Sequence, residues 1–361
     1  MIDNTVLKSE ERAIITLRSL YKSYGYLPFK MSKFEEYDMY VGNKDFLVSD
    51  RIITFAGSDG KLLALKPDVT LSIIKNTRGE NAPKEKLYYN ETVYRPSGDS
   101  GEYKEIMQTG VECVGDLDIG DICESLYLAA RSLAAISDEF VIDVSHMGVL
   151  SLVLDLAGVE GVYRREITEA LSRKSSHEIS ELCAVASVDE RMCSLICSLA
   201  DFDGDFSTAA DLIEKYSDKG SAVALELREI GAMLEREGLS SRVRPDFSAV
   251  SNMSYYNGIV FSGFISGISD RVLAGGEYSG LLSSMSKDGR AVGFAIYLDQ
   301  LSELDSDDDG YDVDVLLLYS DNTPTELVFS KREELIALGK SVSAQRTSDV
   351  KLRYRELIDI G

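Results

Sequence analysis

Leu87-Tyr88-Tyr89-Asn90-Glu91-Thr92-Val93-Tyr94, followed by Pro96-Ser97-Gly98-Asp99-Ser100-Gly101 and then Ile106-Met107-Gln108-Thr109-Gly110-Val111-Glu112-Cys113-Val114, is the stretch that decides the fold. Aromatic and β-branched residues sit on both sides of a run of turn formers, which predicts two strands joined as a long hairpin. Before it, Lys66-Pro67-Asp68-Val69-Thr70 closes an apolar run, and Thr70 to Arg78 reads as a helix. Further upstream, Ile52 to Phe55 and Leu62 to Leu65 flank Gly57-Ser58-Asp59-Gly60, a strand-turn-strand signal. Residues 8 to 24 carry Ala13, Ile14, Leu17, Leu20, Tyr21 and Tyr24 at helical spacing. A turn at Gly25 leads from them into the extended Tyr26-Leu27-Pro28-Phe29.

After the hairpin, Asp121 to Ser137 reads as an amphipathic helix, Phe140 to Val144 as a strand, and Val149 to Leu156 as the start of a helix. Residues 161 to 240 contain no proline and repeat a helical period, as in Ala222, Leu225, Leu227, Ile230, Met233 and Leu234. They form a predicted helical insertion. Phe247-Ser248-Ala249-Val250 and Ile259 to Phe264 return to strand. An acidic linker from Ser302 to Gly310 is a predicted domain boundary. The tail beyond it offers one apolar run, Val313 to Tyr319, a helix from about Pro324 to Gly339, and little more.

The 361 residues are enough for two or three domains with a large core, and 44% hydrophobic with 27% charged residues is ordinary for a globular protein. The net charge of -23 repels phosphate polyanions and argues against a nucleic-acid substrate. No basic segment with an apolar run opens the chain, and no apolar run reaches the roughly 18 residues of a membrane span. A cytoplasmic protein is expected. Cys113, Cys123, Cys183, Cys193 and Cys197 suggest no paired framework and read as reduced core thiols. His146 and His177 are not in a metal-ligand spacing, so no metal is expected. His146, at a strand end, reads as a structural hydrogen-bonding residue. Gly275-Gly276 through Gly280 lacks the spacing and context of a dinucleotide fingerprint, and its glycines read as allowing close packing.

Three stretches, taken in order, resemble the catalytic core of class II aminoacyl-tRNA synthetases of the histidyl type. They are Lys66 to Thr70, Glu105 to Glu112, and Tyr255-Tyr256-Asn257-Gly258-Ile259-Val260-Phe261 leading to Gly275 to Leu282 and Ala291-Val292-Gly293-Phe294-Ala295. The resemblance covers residues 1 to about 302. It implies an α+β fold, an antiparallel sheet flanked by helices. The core would run over 1–160 and 241–302, with a helical insertion at 161–240 and a short α/β tail at 311–361. Phe140-Val141-Ile142-Asp143-Val144-Ser145-His146-Met147-Gly148-Val149 is similar to one branch of that family. That branch is the synthetase-like regulatory subunit of ATP phosphoribosyltransferase, to which the run from Ser248-Ala249-Val250 into Ser254 to Phe261 is similar too.

Where the synthetases hold ATP with arginine, this chain departs. An ungapped alignment on Gly101 and Glu105 puts Tyr94 at the hairpin position, with Arg95 one residue off and so on the opposite face. Ser251 replaces the arginine beside the reacting carboxylate, and Gln300 the one that lies along ATP. Losing one preorganised donor costs about 10²- to 10³-fold in rate, so losing several predicts an inactive relative. The resemblance carries the histidine pocket onto Asp68, Thr70, Gln108, Glu112, Tyr255 and Tyr256. The set is sensible: a carboxylate such as Glu112 accepts an imidazole N–H, Asp68 and Gln108 suit an α-amino group, and tyrosines give an apolar wall with a polar tip. The same residues could instead be inherited packing and hydrogen-bonding groups, with the family's regulatory histidine bound at the interface with the catalytic subunit. What the resemblance implies is a non-catalytic subunit with histidine as effector and no cofactor. Its partner would be a short-form ATP phosphoribosyltransferase catalytic subunit, in a hetero-oligomer built on a self-dimer. No tRNA or membrane would be involved. The alternatives are an active histidyl-tRNA synthetase and a stand-alone histidine-binding paralogue.

Overall fold

In the computed structural model the hairpin is Glu85–Pro96 paired antiparallel with Tyr103–Gly115. The structure describes residues 7–43, 47, 51–77, 83–96, 102–216, 220–249, 255–304 and 310–361. The hairpin belongs to an eight-stranded sheet in the order Leu27–Pro28, Glu85–Pro96, Tyr103–Gly115, Arg290–Tyr297, Leu273–Glu277, Ile259–Ile265, Phe140–His146, Val243–Pro245. The six inner strands run antiparallel, and the short edge strands add in parallel. This is the synthetase-like α+β architecture.

Strand alternation sorts the side chains. Tyr88, Val111 and Cys113 point into a core shared with Leu17 and Tyr21 of the helix Ser9–Ser23 and with Ile122 and Leu126 of the helix Ile119–Ala134. Each such side chain, nearly or fully excluded from water, is worth about 1.5–3 kcal/mol in burial. Asp118 starts the second helix with a capping box: it accepts from Asp121 N at 3.2 Å, and Asp121 accepts from Asp118 N at 3.1 Å. The same core runs on through Ile167, Ile179, Leu195, Ile213, Leu227 and Ile230 of five further helices between Gly161 and Arg236. In the last of these, Ser221–Arg236, the buried residues are Ala224, Leu227, Ile230, Met233 and Leu234, while Leu225 is 58% exposed.

Several sequence expectations need correction. Phe247 to Ala249 is a turn, not a strand, and Val250 lies outside the described residues. The Asp246 carboxylate accepts from Ser248 N at 2.9 Å and Ser248 Oγ at 2.6 Å, which closes the turn and ends the strand at Pro245. The helix after Asp68 spans Thr70–Asn76, and Arg78 is outside the described residues. The strand-turn-strand signal pairs with an unforeseen strand, Phe34–Glu36, in a separate three-stranded sheet. Within the acidic linker, Ser302 to Leu304 is 3-10 helix, and 305–309 are outside the described residues.

The chain divides into two compact units, Met1–Leu304 and Asp305–Gly361. The second holds more than one strand and a helix. Val313–Leu318 is the centre of a three-stranded parallel sheet with Val342–Gln345 and Tyr354–Asp359, and Thr325–Ala337 is its helix. Val315, Leu316 and Leu317 are fully buried there. Among the described residues no helix is long and apolar enough to cross a membrane. All five cysteines are free.

Candidate functional site

Cross-strand register builds the floor of a cavity on the side of the sheet away from those helices. Gln108, Gly110 and Glu112 lie opposite Tyr297, Ala295 and Gly293. The next strands add Ala274, then Val260 and Ser262. Small residues over the middle of the sheet leave a space of about 620 Å³. Asp68, Thr70, Gln108, Glu112, Tyr255 and Tyr256, all six of the residues expected from sequence, line this one space. Gly293 is required there, because a Cβ would lie 1.9 Å from Glu112 Oε2. Gly275 allows close packing as expected: a Cβ would meet Gly293 O at 2.6 Å.

Glu112 is 2% exposed and held at both oxygens. Thr70 Oγ1 donates to Oε1 at 2.8 Å, and the Tyr278 hydroxyl donates to Oε2. Both bonds favour the ionised form. Loss of hydration outweighs them, and with the nearby Asp68 charge it pushes the Glu112 carboxyl up to about 8. The group is therefore mostly protonated at neutral pH and ready to ionise when a cation or N–H donor arrives. Tyr255 stands edge-on to Tyr256 with ring centroids 4.5 Å apart, and 5.7 Å from Tyr278. Burial raises all three phenols above their ordinary range, so they act as hydroxyl donors and acceptors.

Asp68 accepts from Leu71 N at 2.9 Å and from Arg95 Nη2 at 3.2 Å, while Arg95 Nε donates to Pro67 O at 2.6 Å. The placement of Arg95 corrects the sequence reading. Tyr94 pairs with Glu105 and Arg95 with Lys104. Counting by twos along this strand, Arg95 shares a face with Tyr89, and both line the cavity. Tyr94 faces the other way, so the hairpin cation is present rather than replaced. Gly101, the anchor of the ungapped alignment, lies outside the described residues, as does Ser251. Gln300 sits in the 3-10 helix Leu298–Leu304 and is not part of the lining.

His146 is a structural bonding residue, as expected. Its Nδ1 accepts from Gly148 N at 3.1 Å, which makes Nε2 the donor to Glu226 Oε2, also at 3.1 Å. Sequence reasoning missed Tyr278, Tyr89 and Arg271, all of which line the cavity. Tyr278 was within reach: it lies in the stretch Gly275 to Leu282 that carries the family resemblance, just after the strand Leu273–Glu277.

A family model described as Histidyl-tRNA synthetase matches residues 4–301. The chain belongs to that family. A relative from Syntrophotalea carbinolica, an ATP phosphoribosyltransferase regulatory subunit, is 30% identical over 264 residues, 71% of this chain. The chain spans 60% of that relative's length. Among solved structures, an ATP phosphoribosyltransferase regulatory subunit/histidyl-tRNA synthetase from Bacillus halodurans superposes with a TM-score of 0.76 at 23% identity. That match covers 97% of this chain and 93% of the other. A chain of the ATP phosphoribosyl transferase HisG:HisZ complex from Thermotoga maritima matches with a TM-score of 0.63 at 19% identity, covering 80% and 97%. At these identities the structures show the fold alone.

Proposed function

We propose that this chain is the regulatory subunit of ATP phosphoribosyltransferase, without catalysis of its own, and that it controls the first step of histidine biosynthesis. The observation that carries the reading is its similarity to the Syntrophotalea regulatory subunit across most of the synthetase-like region. The partner is a short catalytic subunit, bound in a hetero-oligomer built on a dimer of this chain, in the cytoplasm. The name of the Syntrophotalea relative, a regulatory subunit, supports such a partnership.

Histidine is the effector and occupies the cavity. Glu112 receives the imidazole, Asp68 and Gln108 the α-amino group, and Tyr255 and Tyr256 form the wall. A carboxyl poised at about 8 suits an imidazole, since the pair exchanges a proton at little cost. Feedback follows if histidine binds one state of the complex better than another, with the difference transmitted to the catalytic subunit.

Beside the family match, Arg95 favours the active-synthetase alternative, as a cation lining the cavity. Its guanidinium is already engaged by Asp68 and Pro67 O, and Gln300 does not line the cavity. Histidine-dependent exchange of pyrophosphate into ATP tests the choice. The purified chain should stay at background, and sustained exchange would overturn the reading.

A further inference from the structure

An amino acid carries a carboxylate, and a carboxylate taken out of water needs a cation or several donors. None of the six residues given to the ligand is cationic. Among the described residues, the cations lining the cavity are Arg95 and Arg271. Arg95 is committed to Pro67 O and Asp68. Lys174 and Arg244 come close only through Asp246 and Asp143, which line the cavity and hold them at 2.9 and 2.6 Å.

Arg271 differs. Its backbone N–H bonds the Asp270 side chain at 2.8 Å, but no ion pair among the described residues holds its guanidinium. It stands just before the strand Leu273–Glu277, and Ala274 of that strand forms part of the floor. Its charge acts on the Tyr256 hydroxyl, the same group on which Glu112 and Asp68 act, so Arg271 and the two carboxylates share one neighbourhood of the cavity. A guanidinium is always charged and presents a planar fork that matches a carboxylate.

We propose that Arg271 anchors the α-carboxylate of the amino acid in this cavity and thereby selects the free amino acid over its amine or ester. The assignment rests on the reading that the cavity holds histidine. The test is calorimetric titration of the full chain with histidine, histamine and histidine methyl ester, on the wild type and on R271Q and R271K. Wild type should bind histidine about 10- to 100-fold more tightly than either analogue, the usual range for a charge-assisted contact. R271Q should weaken histidine by the same factor and leave histamine unchanged, with R271K restoring part of the loss. Histidine binding by R271Q at wild-type strength would overturn the anchor. Equal loss of histidine and histamine would also overturn it, by making Arg271 merely structural. A wild type that binds neither ligand refutes the reading of the cavity itself, and the anchor with it.

Discussion

Burial keeps a proton on Glu112: its carboxyl titrates at about 8, against an ordinary 4.5. The folded state therefore binds that proton more tightly than the unfolded chain does. Below about 4.5 both states are protonated and the site costs nothing. As pH rises towards 8, only the unfolded state ionises, and stability falls. At roughly 1.4 kcal/mol per pH unit the loss comes to a few kcal/mol at most. Denaturant unfolding at pH 5 and pH 8 should show the wild type weakening across this interval, and Glu112→Gln should flatten the slope and be the more stable protein at pH 8. An unchanged slope in the variant would mean that another group is responsible. The same substitution should weaken histidine binding about 10- to 100-fold, measured by calorimetry, because an amide cannot take the imidazole proton. Glu112 and Gln108 were legible because the stretch Glu105 to Glu112 resembles the family's motif and their side-chain chemistry suits an amino acid. Arg95 was not, because its face depends on the length of a loop, and a one-residue error there inverts every side chain beyond it.

The helix Ser221–Arg236 is tied to the sheet by a run of charges. His146 bonds Glu226, Arg290 reaches Glu226 at 3.4 Å, and the same arginine donates to Glu277 at 2.8 and 2.9 Å. The bond from His146 holds the Glu226 carboxyl below its ordinary range, so its contribution is present above about 4.5 and fades as pH falls below that. Glu226→Ala leaves Nε2 of a 3% exposed imidazole without its acceptor. It should cost about 1–3 kcal/mol and speed hydrogen exchange in residues 161–236 more than in the hairpin. Uniform acceleration would mean that the contact is not a local latch. Long periodic helices such as this one were readable from spacing alone. Phe34–Glu36 was not: it has three residues, two of them exposed, and it becomes a strand only because Leu63 to Leu65 lie beside it. The turn at Phe247 was mistaken for strand because its apolar residues look alike in either state, whereas Asp246 and Ser248 decide it. In the tail, Val342–Gln345 is half-buried throughout and Tyr354–Asp359 mostly exposed, so neither shows a clean period.

At the scale of the whole molecule, charge and architecture set what the protein can meet. A net charge of -23 should leave tRNA unshifted in a gel at about 0.15 M salt, and a stable complex would revive the synthetase alternative. All six expected ligand residues fall in the unit Met1–Leu304, so a chain ending at Leu304 should bind histidine as the full chain does; loss of binding would implicate the tail. The fold class was legible because several motifs recur in order over some three hundred residues. The use of the cavity was not, since a retained pocket serves an enzyme and a sensor alike. The direct test is phosphoribosyl transfer to ATP by a short catalytic subunit, assayed alone, with this chain added, and with this chain and histidine together. The account predicts activation by the chain and inhibition of the mixture by histidine; the same rate in all three reactions would contradict it.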